Sequence, residues 1–120
     1  MADDEEMEGT ELISFGLIST AGTAKSMAMN AIKCAREGDL AGADDQLEQM
    51  EGPSLEAHNA QTDLLMKEAQ GDHVLVDVLL VHAQDHLMGS ILAGELAKEI
   101  VALYKKIDAL EARIADLEAK

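Results

Sequence analysis

The chain reads as an all-α protein, and three observations carry that prediction. Hydrophobic residues make up 48% of its 120 residues, yet Phe15 and Tyr104 are its aromatics. The apolar mass is therefore Ala, Leu, Ile, Val and Met, which suits helix-on-helix packing better than a β-sandwich. Apolar residues recur at spacings of three and four along three long stretches, the period of an amphipathic helix. The breaks Glu37-Gly38-Asp39 and Gln70-Gly71-Asp72 separate those stretches, and glycine-centred clusters of this kind mark turns. The length suits one domain with a real core.

The elements follow in order. The acidic run Asp3 to Glu8 has no apolar period, so residues 1–9 are expected to form a solvated, disordered tail. A first helix is predicted over 10–36, with Thr10 capping its first turn and Leu12, Phe15, Ile18, Met27, Ala31 and Cys34 at helical spacing. A second is predicted over 40–69 on Ala43, Leu47, Met50, Leu64 and Leu65. Gly52-Pro53 interrupts it, and because the pattern resumes in phase at Leu55, Asn59 and Thr62, a kink is expected rather than a split. Met27, Met29, Met50, Met66 and Met88 are read as core, as is the lone cysteine, Cys34.

From His73 onward no loop cluster occurs, so a single third helix of about 45 residues is predicted, close to 68 Å at about 1.5 Å per residue. That exceeds what the other two could cover. Its last turns read Ile100, Leu103, Ile107, Leu110, Ile114 and Leu117, alternating steps of three and four with charged residues between. Such a seam predicts a parallel coiled coil between subunits, and Ile with Leu at its two positions is compatible with two or three strands.

Composition narrows the function. A formal charge of −15 would repel nucleic acid and an anionic membrane surface, whereas a protein partner with a basic patch would fit. The start, MADDEEMEGTE, lacks the regions of a signal peptide, and no stretch reaches the roughly 18 apolar residues of a span. A cytoplasmic protein without direct membrane insertion is expected. One cysteine excludes a disulfide framework or a multi-cysteine zinc site within the chain.

The stretch LLVHAQDHLMGS, 79–90, carries the chemistry. On a helix His82, Asp85 and His86 fall within an arc of about 100°. HAQDH resembles the H-x-x-E-H arrangement of some metalloproteases, but Asp85 is a methylene short of the required glutamate and no third ligand is evident. Polar residues within Val78-Leu79-Leu80-Val81 and Leu87-Met88 each need a partner if buried, at a cost of about 1–3 kcal/mol otherwise. Were Asp85 to face a subunit seam, carboxylates about 4 Å apart would repel by roughly 4 kcal/mol per pair at an effective dielectric of about 20. A shared proton or a hard divalent cation such as Mg2+ would then be required.

Val-His-Ala-Gln-Asp-His-Leu-Met at 81–88 resembles the signature of the lactose/cellobiose-type enzyme IIA family of the bacterial sugar phosphotransferase system. Phe15-Gly16-Leu17-Ile18 through Ala21-Gly22-Thr23-Ala24-Lys25-Ser26 is similar to that family's first helix. Arg36-Glu37-Gly38-Asp39-Leu40 is similar to its first turn, and Glu56-Ala57-His58-Asn59-Ala60-Gln61-Thr62 to an element of its second helix. The resemblance spans about residues 12–106 in order. It implies an antiparallel three-helix bundle subunit assembling as a parallel nine-helix homotrimer. It implies that His82 is the phosphorylated histidine, modified on Nε2, and that Asp85 meets its symmetry mates and shares a divalent metal. Gln84 and His86 take supporting roles, and His58 and Gln61 are candidates to line the same groove. The implied relay runs from the phosphohistidine of HPr to His82, then to the cysteine of the cognate enzyme IIB, and on to sugar bound by the IIC permease.

This chemistry suits the residues. A neutral imidazole is a competent nucleophile near neutral pH and can hold a covalent intermediate. Phosphoryl transfer has a loose transition state, so alignment and charge stabilisation suffice without a nucleotide loop. Three departures stand out: Lys25 where arginine is common in the family, Gly52-Pro53, and the continuation Ile107 to Lys120. The chain is thus divided into an acidic tail over 1–9, an enzyme IIA domain over 10–106 and a coiled-coil extension over 107–120. The Gly16-Leu17-Ile18 start and the alanine in VHAQDH resemble the cellobiose/chitobiose branch more than the lactose branch. The alternative is a non-catalytic acidic coiled-coil adaptor with the same fold.

Overall fold

The structure is a computed structural model that describes the backbone of residues 4–120 and the side chains of residues 9–120. Three helices account for its regular structure: α1 (Asp4–Arg36), α2 (Leu40–Ala69) and α3 (Val78–Glu118). Their packing repeats in three layers. Leu17 of α1 meets Ala57 and Leu64 of α2 and Leu80, Ala83 and Leu87 of α3. Ala24 and Ala28 meet Met50 and Ala97, and Ala31 and Ala35 meet Ala43 and Val101. Numbers rise along α1 and α3 and fall along α2, so the bundle runs up, down, up.

The turns are built where glycine allows them. Gly38 and Gly71 both adopt φ 87°, the left-handed conformation that favours glycine at a helix end. The Asp39 side chain then accepts from Gly42 N at 2.9 Å and caps α2. Two exposed ion pairs cross from α2 to α3, Asp44 with Lys105 at 2.7 Å and Glu51 with Lys98 at 3.2 Å; at such exposure they tune register more than stability.

Several sequence expectations are corrected. α1 begins at Asp4, so residues 4–9 are helical where a disordered tail was expected, and Thr10 lies within the helix instead of capping it; the expectation for residues 1–3 falls outside the described residues. α2, by contrast, runs through Pro53 as one helix, in keeping with the expectation that the pattern is not split there. α3 begins at Val78 with Asp77 as its cap, not at His73.

The buried face of α1 also differs from the predicted one. Leu12 and Phe15 are exposed, and the buried line is Ser14, Leu17, Ala21, Ala24, Ala28, Ala31 and Ala35. Small side chains let α1 approach α2 and α3 together, since interaxial distance follows contact side-chain size. Close approach recurs at Gly94, where an added Cβ would lie 3.3 Å from Met50 Sδ. Met50 is buried as expected, whereas Met29, Met66, Met88 and Leu65 are exposed. Cys34 is partly buried against the third layer.

With so much alanine, the few large buried side chains carry much of the core. Leu17 is fully buried, and Leu17→Ala is expected to remove about 2–5 kcal/mol from the free energy of unfolding, measured by urea titration.

The α2–α3 connection is held by one carboxylate. His73 Nδ1 lies 2.9 Å from Glu68 Oε1, and Val74 N donates to Glu68 Oε2 at 2.9 Å. The Val74 amide and then the His73 ring hold the Glu68 carboxyl below its ordinary 4.5. Because the folded value is the lower one, this stabilisation is complete above the ordinary carboxylate range and is lost as pH falls through the depressed value. Glu68→Gln is expected to speed hydrogen exchange at the Val74 amide near neutral pH; unchanged protection would show that the connection holds itself.

Candidate functional site

The Asp77 side chain accepts from Leu80 N at 2.8 Å, and its carbonyl accepts from Val81 N at 3.1 Å. This cap starts α3 one turn before His82. Ala83 and Leu87 point into the core, which sets the rotation of the helix. His82 and Asp85 are consequently exposed, while Gln84 and His86 are half-buried.

The two imidazoles meet edge to face, with centroids 4.6 Å apart and planes inclined by 75°. Their Nε2 atoms are 3.1 Å apart. A hydrogen bond at that separation needs one Nε2 to carry a proton and the other a lone pair. If His86 donates, His82 keeps its proton on Nδ1 and its Nε2 lone pair accepts the bond, so that lone pair becomes available for attack once the His86 N–H turns away. His86 is then a positioning residue whose N–H can turn to an oxygen of an incoming phosphoryl group.

Gln61 and Gln84 line one groove with Val74, Leu80 and Val81, beside His82 on the chain. The Gln61 Oε1 is buried and has no hydrogen-bond partner. His58 lies elsewhere, in a groove with Ser54, Ser90 and Lys98 that includes neither His82 nor His86. Among the candidates, then, the fold pairs His82 with His86 and sets Gln61 and Gln84 in one groove and His58 in another, neither of which the two paired imidazoles line.

Asp85 has a different setting. It sits in a line along α3 of Val78, Val81, Asp85, Met88, Leu92, Leu96, Ile100, Leu103, Ile107, Leu110, Ile114 and Leu117, all at steps of three or four. Except for half-buried Ile100, every member is exposed in the single chain. Val78 to Leu96 were missed as part of this line; the same spacing continues upstream of Ile100 and could have shown them. Asp85 is the one charged member.

Residues 12–105 match the family described as PTS system, Lactose/Cellobiose specific IIA subunit. The chain belongs to this IIA family. It is 42% identical over 99 residues to the PTS system lactose-specific EIIA component of Staphylococcus aureus strain N315, spanning 82% of this chain and 96% of that relative. The PTS cellobiose specific enzyme IIA from Bacillus anthracis superposes with a TM-score of 0.81 at 45% identity, covering 83% of this chain and 92% of that one. The IIA(Chitobiose) chain in the solution structures of the IIA(Chitobiose)-HPr complex of Escherichia coli gives a TM-score of 0.70 at 40% identity, covering 82% and 96%.

As a IIA component, the protein carries phosphoryl groups within the phosphotransferase system. The IIA match contains all of VHAQDHLM and ends before Ile107, so the last turns of α3 lie outside it. Among the described residues no helix is long and apolar enough to cross a membrane. Nor do the described residues of one IIA chain gather three or more His, Cys, Asp or Glu side chains able to hold a metal ion.

Proposed function

We propose that this IIA subunit accepts a phosphoryl group from HPr on His82 Nε2, in the cytoplasm, and passes it to the cysteine of a cognate enzyme IIB that serves a IIC permease during disaccharide uptake. One observation carries the reading: His82 is exposed with its Nε2 held 3.1 Å from His86 Nε2. In the first transfer the lone pair of His82 Nε2 forms the new N–P bond as the bond to the donor nitrogen of HPr breaks. In the second, a IIB thiolate takes the phosphorus and the N–P bond electrons return to Nε2. Complex formation with HPr by the Escherichia coli IIA(Chitobiose) chain supports the first partner. Lactose, cellobiose and chitobiose all appear among the relatives, and the Gly16-Leu17-Ile18 and VHAQDH features favour cellobiose or chitobiose.

Three subunits assembling through the exposed line of α3 would form a parallel nine-helix homotrimer and bury its apolar side chains. That assembly brings the Asp85 carboxylates together at the axis. One hard oxygen donor per chain suits Mg2+ or another divalent cation, which would supply the charge that lets these carboxylates sit together. Because each chain contributes a single carboxylate, the cation belongs to the assembly and has a structural role.

The relay is tested by incubating the protein with enzyme I, HPr and phosphoenolpyruvate. One acid-labile phosphate per chain is expected, lost on adding the IIB partner. A protein that binds HPr yet takes up no phosphate would be the non-catalytic adaptor instead.

A further inference from the structure

The end of α3 carries information beyond an apolar seam. Taking Ile100, Ile107 and Ile114 as a positions and Leu103, Leu110 and Leu117 as d positions places Lys106 and Arg113 at g and Glu111 and Glu118 at e. In a parallel, in-register coiled coil a g residue faces the e residue five places later on its neighbour. Lys106 then faces Glu111, and Arg113 faces Glu118, of the next copy. An antiparallel arrangement would set Lys106 and Arg113 against each other and Glu111 against Glu118. A slip of one heptad would lose Lys106–Glu111 and Arg113–Glu118 and leave unequal seams, with Lys106–Glu118 on one side and Arg113–Glu111 and Lys120–Glu118 on the other. It would also set Lys106 against Tyr104 and leave the end leucine and isoleucine positions unmatched.

Contacts within the subunit leave most of this surface exposed, although Ile100 is half-buried and Ile107 and Glu111 border a shallow groove with Arg36 and Leu40. Tyr104 packs against the third core layer and Lys105 reaches Asp44, so the body occupies the e–f side of the helix at that level. Leu103, Ile107, Leu110, Ile114 and Leu117 remain exposed. They also continue without a break from the exposed line that carries Asp85.

We propose that residues 100–120 form a parallel, in-register coiled coil with further copies of this same chain, and that the Lys106–Glu111 and Arg113–Glu118 pairs make it self-selecting. The inference rests on assembly through α3 and is independent of phosphoryl transfer. The extension sets register and partner identity: a IIA chain lacking this charge pattern would be excluded from mixed assemblies. Two or three strands satisfy the same pairing, so the number of copies is left to the body of the subunit.

Two full-length variants test it. Lys106→Glu with Arg113→Glu makes every e and g site from 106 to 118 acidic, and Glu111→Lys with Glu118→Lys makes them basic. By sedimentation at low salt, each variant alone is expected to dissociate at a protein concentration about tenfold or more above the parent's. An equimolar mixture of the two should recover assembly, and high salt should narrow all the differences. Using variants of opposite sign separates the pairing from an effect of net charge. Orientation is read from Lys120→Cys in a Cys34→Ser background, which should cross-link to its own equivalent on oxidation. Variants that assemble as tightly as the parent, a mixture without recovery, or Lys120→Cys failing to cross-link would each overturn the proposal. A parent that is monomeric throughout would overturn both the proposal and the assembly through α3; an assembled parent with indifferent variants would overturn the proposal alone.

Discussion

His82→Ala is expected to reduce phosphate uptake from phospho-HPr to background, because it removes the proposed nucleophile. The neighbouring ring makes this a demanding test. His86 Nε2 is only 3.1 Å from His82 Nε2, so a misassigned acceptor would leave its label on His86. Acid-labile phosphate surviving in His82→Ala but absent from the double variant His82→Ala/His86→Ala would move the assignment to His86. The expected pattern is otherwise: no label in His82→Ala, and in His86→Ala a full equivalent of phosphate acquired more slowly. Losing one orienting hydrogen bond of roughly 1 kcal/mol corresponds to a slowing of about fivefold to tenfold. Quantifying bound phosphate against time in a single-turnover experiment separates the two effects. A His86→Ala chain labelled at the parent's rate would show that the imidazole pair has no part in the transfer.

Asp85→Leu is expected to stabilise the assembled protein and to free it from divalent cations. Within its line on α3 Asp85 is the one interruption among otherwise apolar side chains. The proposed self-association along that line would place like charges together in an apolar setting. Replacing such buried ionic groups with well-packed hydrophobic residues commonly gains about 1–4 kcal/mol. For a chain of this size each kcal/mol raises the midpoint of thermal unfolding by about 2–4 °C or somewhat more. The parent should lose stability on chelation and regain it with Mg2+, whereas Asp85→Leu should ignore both. An unchanged midpoint together with a parent indifferent to chelator would place Asp85 in solvent rather than at an axis, and would remove the reason for a shared cation.

Much of the fold was legible because its signals are local. Gly38 and Gly71 end helices through their own backbone freedom, and both turns fall where glycine stands between charged or polar neighbours. The signature around His82 was legible because four residues advance about one helical turn, so His82 and His86 had to share a face. The face that α1 buries was not legible. Leu12 and Phe15 looked like core by size, but alanines at Ala21, Ala24, Ala28 and Ala31 occupy the interior because two helices must approach α1 at once. Nor did a shared helix face show that His58 and Gln61 line different grooves, because that depends on which residues of the neighbouring helices stand opposite each.

The sequence by itself determined the helix count, the signature that places this chain in the IIA family, and the spacing of the seam on the last turns. Each follows from a short repeat or a fixed motif whose geometry is set by the backbone of one helix. Only the tertiary structure decided which sides of those helices are already occupied. Packing Ala83 and Leu87 inward turns His82 out to the surface, brings its Nε2 against that of His86, and leaves the line from Val78 to Leu117 exposed except at half-buried Ile100. Periodicity marks an apolar face, but what covers it depends on neighbours distant in sequence, and those are fixed when three helices compete for one core.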